Sequence, residues 1–88
     1  MVNFKLVFSR EADLDSKKLK SVGLQEKCQQ ILNILANNPF QNPPRFEKLT
    51  GNLDGYFSRR INLKHRLVYK ILKEEKTVKI LRMWSHYE

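Results

Sequence analysis

Three side chains of this 88-residue chain stand out for the chemistry they could do together. They are Glu47 in a loop-like middle stretch, Arg66 at the head of a β-type run, and His86 beside Tyr87 in the closing "RMWSHYE". A carboxylate and an imidazole on either side of a phosphodiester can serve as general base and general acid, while a guanidinium holds the phosphoryl oxygens. That chemistry needs no metal and no cofactor. Residue types alone carry it only a short way, because every small domain has some Glu, Arg and His, and a lone histidine is more often a satisfied surface or core residue. Unperturbed pKa values of roughly 4.3 for Glu and 6.5 for His leave one a base and the other an acid only in a narrow acidic window. The working arrangement then depends on environment.

Around these residues, basic and aromatic side chains interleave: Arg45-Phe46, Tyr56-Phe57, Arg59-Arg60, Arg66, Tyr69, Arg82 and Trp84. Arginine grips phosphate bidentately and aromatic rings stack on exposed bases, a mixture suited to single-stranded RNA. Taken singly, each strand aromatic is more often a core-filler. Net charge points the same way: the chain is formally +8, and residues 45–88 carry eleven basic against five acidic side chains, so most of the excess lies there. Such asymmetry suits a polyanionic partner. Solvated lysines on a soluble domain are the bland alternative.

The elements that must position these groups follow from periodicity. Residues 2–8, "VNFKLVF", alternate with Val2, Phe4, Leu6 and Phe8 on one side, which predicts a strand. Ser9 can cap a helix over "READLDSKKLKSVG", whose early acids and later lysines complement the helix dipole. Leu24, Cys28, Ile31, Leu32 and Leu35 fall on one stripe of a second helix, closed by Asn37-Asn38-Pro39. Residues 41–55 hold two of the three prolines and two of the three glycines, and read as a loop or short edge strand with a turn at Asp54-Gly55. "YFSRRIN", "HRLVYKIL" and "TVKILRMW" then predict an antiparallel meander with turns at 62–64 and 73–76. The expectation is a single α+β domain over 1–88. An N-terminal strand, two helices and a meander form a four- to five-stranded sheet with both helices on one face and the other face free to bind.

Several classes are disfavoured. Cys28 is the only cysteine, so no internal disulfide or CxxC motif exists, and its spacing to Leu24 and Ile31 makes it a small buried hydrophobe. Two histidines do not make a convincing zinc set. No stretch reads as a signal peptide or membrane span, so a soluble cytoplasmic protein is expected. No helix-turn-helix pattern supports a DNA-binding regulator.

A parity argument sharpens the catalytic reading. Arg66 and His86 share a sheet face only if the turn between their strands has an odd residue count, such as 73–77, or a bulge intervenes. The odd count is the expectation.

"FEKLTGNLDGYFSRRINLKHRLVYKI" followed by "SHYE" resembles the Txe/YoeB family of bacterial toxins, within the RelE-like superfamily of type II toxin–antitoxin systems. The likeness spans the chain in length and element order and is densest over residues 39–88. It implies a RelE-like fold and a metal-independent endoribonuclease, an mRNA interferase that cuts mRNA in the ribosomal A site and halts translation. On this resemblance Glu47 is the general base toward the ribose 2′-hydroxyl, Arg66 stabilises the phosphorane, His86 protonates the departing 5′-oxygen and Tyr87 orients the RNA. Arg59 matches an arginine of the basic site lining. Arg60, Lys48 and Arg45 are further RNA-binding candidates. Relatives often carry lysine where Thr50 stands and tryptophan where Phe57 stands, and Lys48 can supply the missing phosphate contact. Neither departure removes an acid, base or charge stabiliser, so activity is expected.

The tethered 2′-hydroxyl makes the task one of alignment and proton transfer, with a 2′,3′-cyclic phosphate as product and DNA left uncut. The implied partners are the bacterial ribosome with its mRNA and an acidic, partly disordered antitoxin of the Phd/YefM (Axe) type covering or distorting the region around His86-Tyr87. A homodimer is compatible with the sequence. A non-catalytic RNA- or ribosome-binding module is the alternative reading.

Overall fold

The computed structural model describes residues 3–43 and 45–84. Among these described residues five strands and two helices run in the order β1 (Lys5–Phe8), α1 (Arg10–Ser21), α2 (Gln25–Asn37), β2 (Phe46–Lys48), β3 (Phe57–Arg60), β4 (Arg66–Leu72) and β5 (Thr77–Arg82), with a 3₁₀ turn at Gly51–Leu53. In the sheet the spatial order is β1-β5-β4-β3-β2. The meander β2 to β5 is antiparallel throughout; the short polar turns predict this for β3 to β5, and β2 is the edge strand that residues 41–55 offered as an alternative to a loop. β1 returns to the far edge and pairs β5 in parallel, Lys5 to Thr77 through Phe8 to Ile80, so the sheet is mixed. The two helices form the crossover between β1 and the meander and cover one sheet face.

Local signals explain both helices. The Ser9 hydroxyl accepts the Ala12 amide proton at 3.0 Å, satisfying one of the donors left open at the start of α1. Its own proton goes to the Leu81 carbonyl at 2.7 Å, tying that cap to β5. In α2 the expected stripe is the buried one: Cys28, Ile31, Leu32 and Leu35 pack with Ala12 and Leu19 of α1 against Leu67, Tyr69, Val78 and Ile80 of the sheet. Each such aliphatic side chain, fully withdrawn from water, contributes about 1.5–3 kcal/mol before chain entropy is counted. Phe4, just before β1, and Leu6 within it join the same core, whereas Phe8 at the strand's end stays 38% exposed.

The β4–β5 hairpin corrects one expectation. Leu72 pairs with Thr77, which leaves the even turn 73–76 rather than an odd one. Parity changes further along instead: Tyr69 pairs with Ile80 but Val68 pairs with Arg82, so Leu81 is the extra residue of a β-bulge. Val78, Ile80 and Met83 are consequently all buried in the helix-side core, although strict alternation from Ile80 would turn Met83 outward. The Arg66 amide then reaches the Trp84 carbonyl at 3.4 Å. The expectation that His86 shares the face of Arg66 falls on a residue outside the described ones.

Candidate active site

β2 is the edge strand on which Glu47 sits, and its register decides where that carboxylate points. Glu47 lies opposite Ser58 and Ser58 opposite Val68, while Arg60 lies opposite Arg66. Directly paired residues project to the same side of a sheet, so these five side chains occupy adjacent rows on the face turned away from the helices. The 3₁₀ turn and two glycines with positive φ, Gly51 (+68°) and Gly55 (+92°), fold the chain back between β2 and β3, and the Leu49 amide closes the hairpin on the Tyr56 carbonyl at 2.9 Å.

Across β3, Arg66 Nη1 donates to Glu47 Oε1 at 2.9 Å. The pair lies in a depression of about 330 Å³ lined by Arg45, Glu47, Ser58, Arg60 and Arg66. Three guanidinium groups thus face one carboxylate, an arrangement with surplus positive charge for an anion. The Arg66 hydrogen bond and charge hold the Glu47 carboxyl below the usual carboxylate range, and the charges of Arg45 and Arg60 add to this. Glu47 is therefore ionised at neutral pH, an acceptor ready for a proton.

Two candidates lie elsewhere. Arg59 precedes Arg60 but points to the helix side, where it is 1% exposed. Its Nε donates to the Tyr69 hydroxyl at 2.9 Å and its Nη2 to the carbonyls of Pro39 and Gln41 at 2.9 and 2.8 Å, with the Phe46 ring 4.9 Å away. The expectation that Arg59 lines the basic site is corrected: its charge is used to pin the 39–41 loop to the sheet. Lys48 pairs with Phe57, so it is exposed on the opposite side of β2 from Glu47 and does not line the depression. Arg45 and Arg60 do line it. His86 and Tyr87 lie outside the described residues.

The segment leading toward them is tied down by a residue that sequence reasoning passed over. Asp15 of α1, 1% exposed, accepts from Arg82 Nε at 2.8 Å, Arg82 Nη2 at 3.3 Å and the Met83 amide at 3.0 Å. The Arg82 guanidinium is pushed above its ordinary pKa by the Asp15 hydrogen bond. Trp84 stacks on His65 with ring centroids 4.0 Å apart and has Lys18 Nζ 5.8 Å from its ring. The signal for Asp15 was available: Ala12, Asp15 and Leu19 share a helical stripe, and an acid there must find a partner. Cys28 behaves as expected, 4% exposed, its thiol pushed up to about 11 by burial. Among the described residues no three His, Cys, Asp or Glu side chains gather as a metal set, and no described helix is long and apolar enough to cross a membrane.

Comparison with known proteins gives a consistent result. The profile described as "YoeB-like toxin of bacterial type II toxin-antitoxin system" matches residues 8–87. A Toxin YoeB of Synechocystis sp. is 38% identical over 74 residues, 84% of this chain and 77% of the relative. Among solved structures, a YoeB/ParE toxin from Agrobacterium tumefaciens superposes with a TM-score of 0.84 at 27% identity, covering 96% of this chain and all of the other. The toxin of a YoeB–YefM complex from Staphylococcus aureus superposes at 0.78 with 34% identity, covering 98% of this chain and all of the other.

Proposed function

The chain belongs to the YoeB-like toxin family of bacterial type II toxin–antitoxin systems, and on that premise we propose that it is an endoribonuclease that cuts mRNA in the ribosomal A site. The observation that carries the reading is the Glu47–Arg66 pair, held at 2.9 Å in a depression otherwise rimmed by Arg45 and Arg60. Glu47 takes the proton of the ribose 2′-hydroxyl, whose oxygen attacks the adjacent phosphorus. Arg66, with Arg60 and Arg45 beside it, balances the negative charge that grows on the phosphorane oxygens. His86 gives a proton to the departing 5′-oxygen and Tyr87 orients the RNA. One strand then ends in a 2′,3′-cyclic phosphate and the other in a 5′-hydroxyl.

The same pair suggests how substrate switches the base on. Without RNA, Arg66 lowers the basicity of Glu47. A phosphate that draws the guanidinium toward itself removes the largest cause of that lowering, so the carboxylate becomes a stronger base when there is a hydroxyl to deprotonate. Because both side chains keep solvent contact, 27% for Arg66 and 47% for Glu47, the exchange costs little.

In the cell this charge excess calls for an acidic partner. A YefM-type antitoxin, such as the one bound to the Staphylococcus aureus relative, is the proposed neutraliser. Toeprinting of a defined mRNA on stalled ribosomes tests the whole reading. A cut confined to the A-site codon, absent with Glu47→Ala, Arg66→Ala and His86→Ala and suppressed by the antitoxin, is the expected result. Binding without any cut would favour a non-catalytic ribosome-binding module, and equal cleavage of naked RNA would favour a general ribonuclease.

A further inference from the structure

The open sheet face carries a second cationic cluster, outside the Glu47 depression and, among the described residues, with no acid paired to it. Lys70 of β4 lies directly opposite Lys79 of β5, and Lys79 lies opposite Val7 of β1. Like charges in directly paired positions destabilise a sheet, so such a pair is a cost to the fold. Another like-charged pair on this face, Arg60 opposite Arg66, occurs at the candidate active site, where Glu47 offsets it. Among the described residues, neither Lys70 nor Lys79 forms an ion pair.

Beside the lysines is a place for a base. Tyr56 is held with its ring 5.6 Å from Lys70 Nζ. It borders a depression of about 320 Å³ with Val7, Ser9, Lys79 and Leu81. Leu81 is the bulged residue, and Val7 and Phe8 each remain 38% exposed, so the depression joins aromatic residues, an apolar floor and a lysine. That combination suits a nucleobase with its phosphate, and it would be poorly matched to a purely inorganic anion.

Spacing links the cluster to the candidate active site. Arg66, Val68 and Lys70 alternate along β4 on the open face, so Arg66 and Lys70 are separated by about 13–14 Å of strand. We propose that Tyr56, Lys70 and Lys79 form a second RNA-binding site that holds a nucleotide of single-stranded character near the one being cut, Tyr56 stacking on its base and the lysine pair taking its phosphate. The proposal rests on the nuclease reading for its position relative to the cut, but not for the binding itself. The RNA can be message or ribosomal RNA, since both offer the same chemistry.

The test uses the full chain, Lys70→Ala/Lys79→Ala and Tyr56→Ala, with two probes: a short single-stranded oligoribonucleotide made uncleavable by one 2′-deoxy position, and vacant ribosomes. The double variant should bind at least one probe roughly tenfold more weakly, with a salt dependence shallower by about 1.4 in log–log slope, as expected for two lost phosphate contacts on a single strand. Tyr56→Ala should weaken binding with the slope unchanged. Loss on the oligoribonucleotide assigns the site to message, and loss on ribosomes assigns it to ribosomal RNA. Thermal melting guards against misfolding: removing the like-charged pair should leave the melting temperature equal or higher. Wild-type affinity and slope on both probes would overturn the proposal. Failure of the wild-type protein to cut mRNA would sink the nuclease reading alone, because the binding arms need no cleavage.

Discussion

Two arginine–carboxylate pairs among the described residues have nearly the same shortest distance and opposite surroundings. Arg66 reaches Glu47 at 2.9 Å on the open face, and Arg82 reaches Asp15 at 2.8 Å where α1 meets the end of β5. Glu47 is 47% exposed, whereas Asp15 is 1% exposed and also accepts the Met83 amide. An exposed pair is worth little and can trade its partner for a phosphate. A buried carboxylate that has lost its donors has nowhere to turn, so its pair is permanent. Distance alone does not separate an exchangeable ion pair from a fixed one; burial does.

The largest effect should come from the exposed pair, in rate rather than in stability. Arg66→Ala is expected to slow A-site cleavage by about 10²–10³-fold while the melting temperature stays near that of the parent. A rate loss matched by unfolding would erase the contrast. Next comes the buried pair: Asp15→Ala should lower unfolding free energy in urea by about 2–3 kcal/mol, below the range for fully buried pairs because Arg82 keeps 28% of its surface. An unchanged midpoint would show that Asp15 is not the anchor.

Neighbours Arg59 and Arg60 sharpen the comparison further. Arg59→Lys loses the fork that binds two carbonyls and should cost about 1.5–2 kcal/mol of stability. Arg60→Lys should be neutral in a melt but weaken RNA binding, a split readable by pairing denaturation with anisotropy. The smallest effect belongs to Glu47 titration. Its folded pKa is lowered, so the pair's contribution is present above the ordinary Glu value of about 4.3 and is lost as pH falls through the depressed folded value. A slight acid-side loss of stability, absent in Glu47→Gln and screened by salt, is expected in melts taken below about pH 5. In the rate profile, the acid limb assigned to Glu47 should move upward in Arg66→Lys relative to the parent.

The α2 stripe, the Ser9 cap and the meander were legible because each depends on neighbours within a few residues. Glu47, Arg66, Arg60 and Arg45 were singled out by type and by family resemblance, and they meet on one face. Arg59 was misplaced because resemblance does not reveal which side of a strand a residue takes, and β3 is too short, at four residues, for its pattern to settle that. Asp15 was missed because its partners are 67 and 68 residues away in sequence.

By itself the sequence determined the element order, the helical faces, the charge excess of the second half and the residue types able to move protons around a phosphodiester. These follow from local periodicity and side-chain type, which fold context does not alter. Only tertiary structure decided the mixed sheet, the bulge at Leu81 that turns Met83 inward, the opposite fates of Arg59 and Arg60, and which arginine–carboxylate pair stays open to solvent. A strand's period of two sets which residues share a side, but packing against the helices chooses which side is buried.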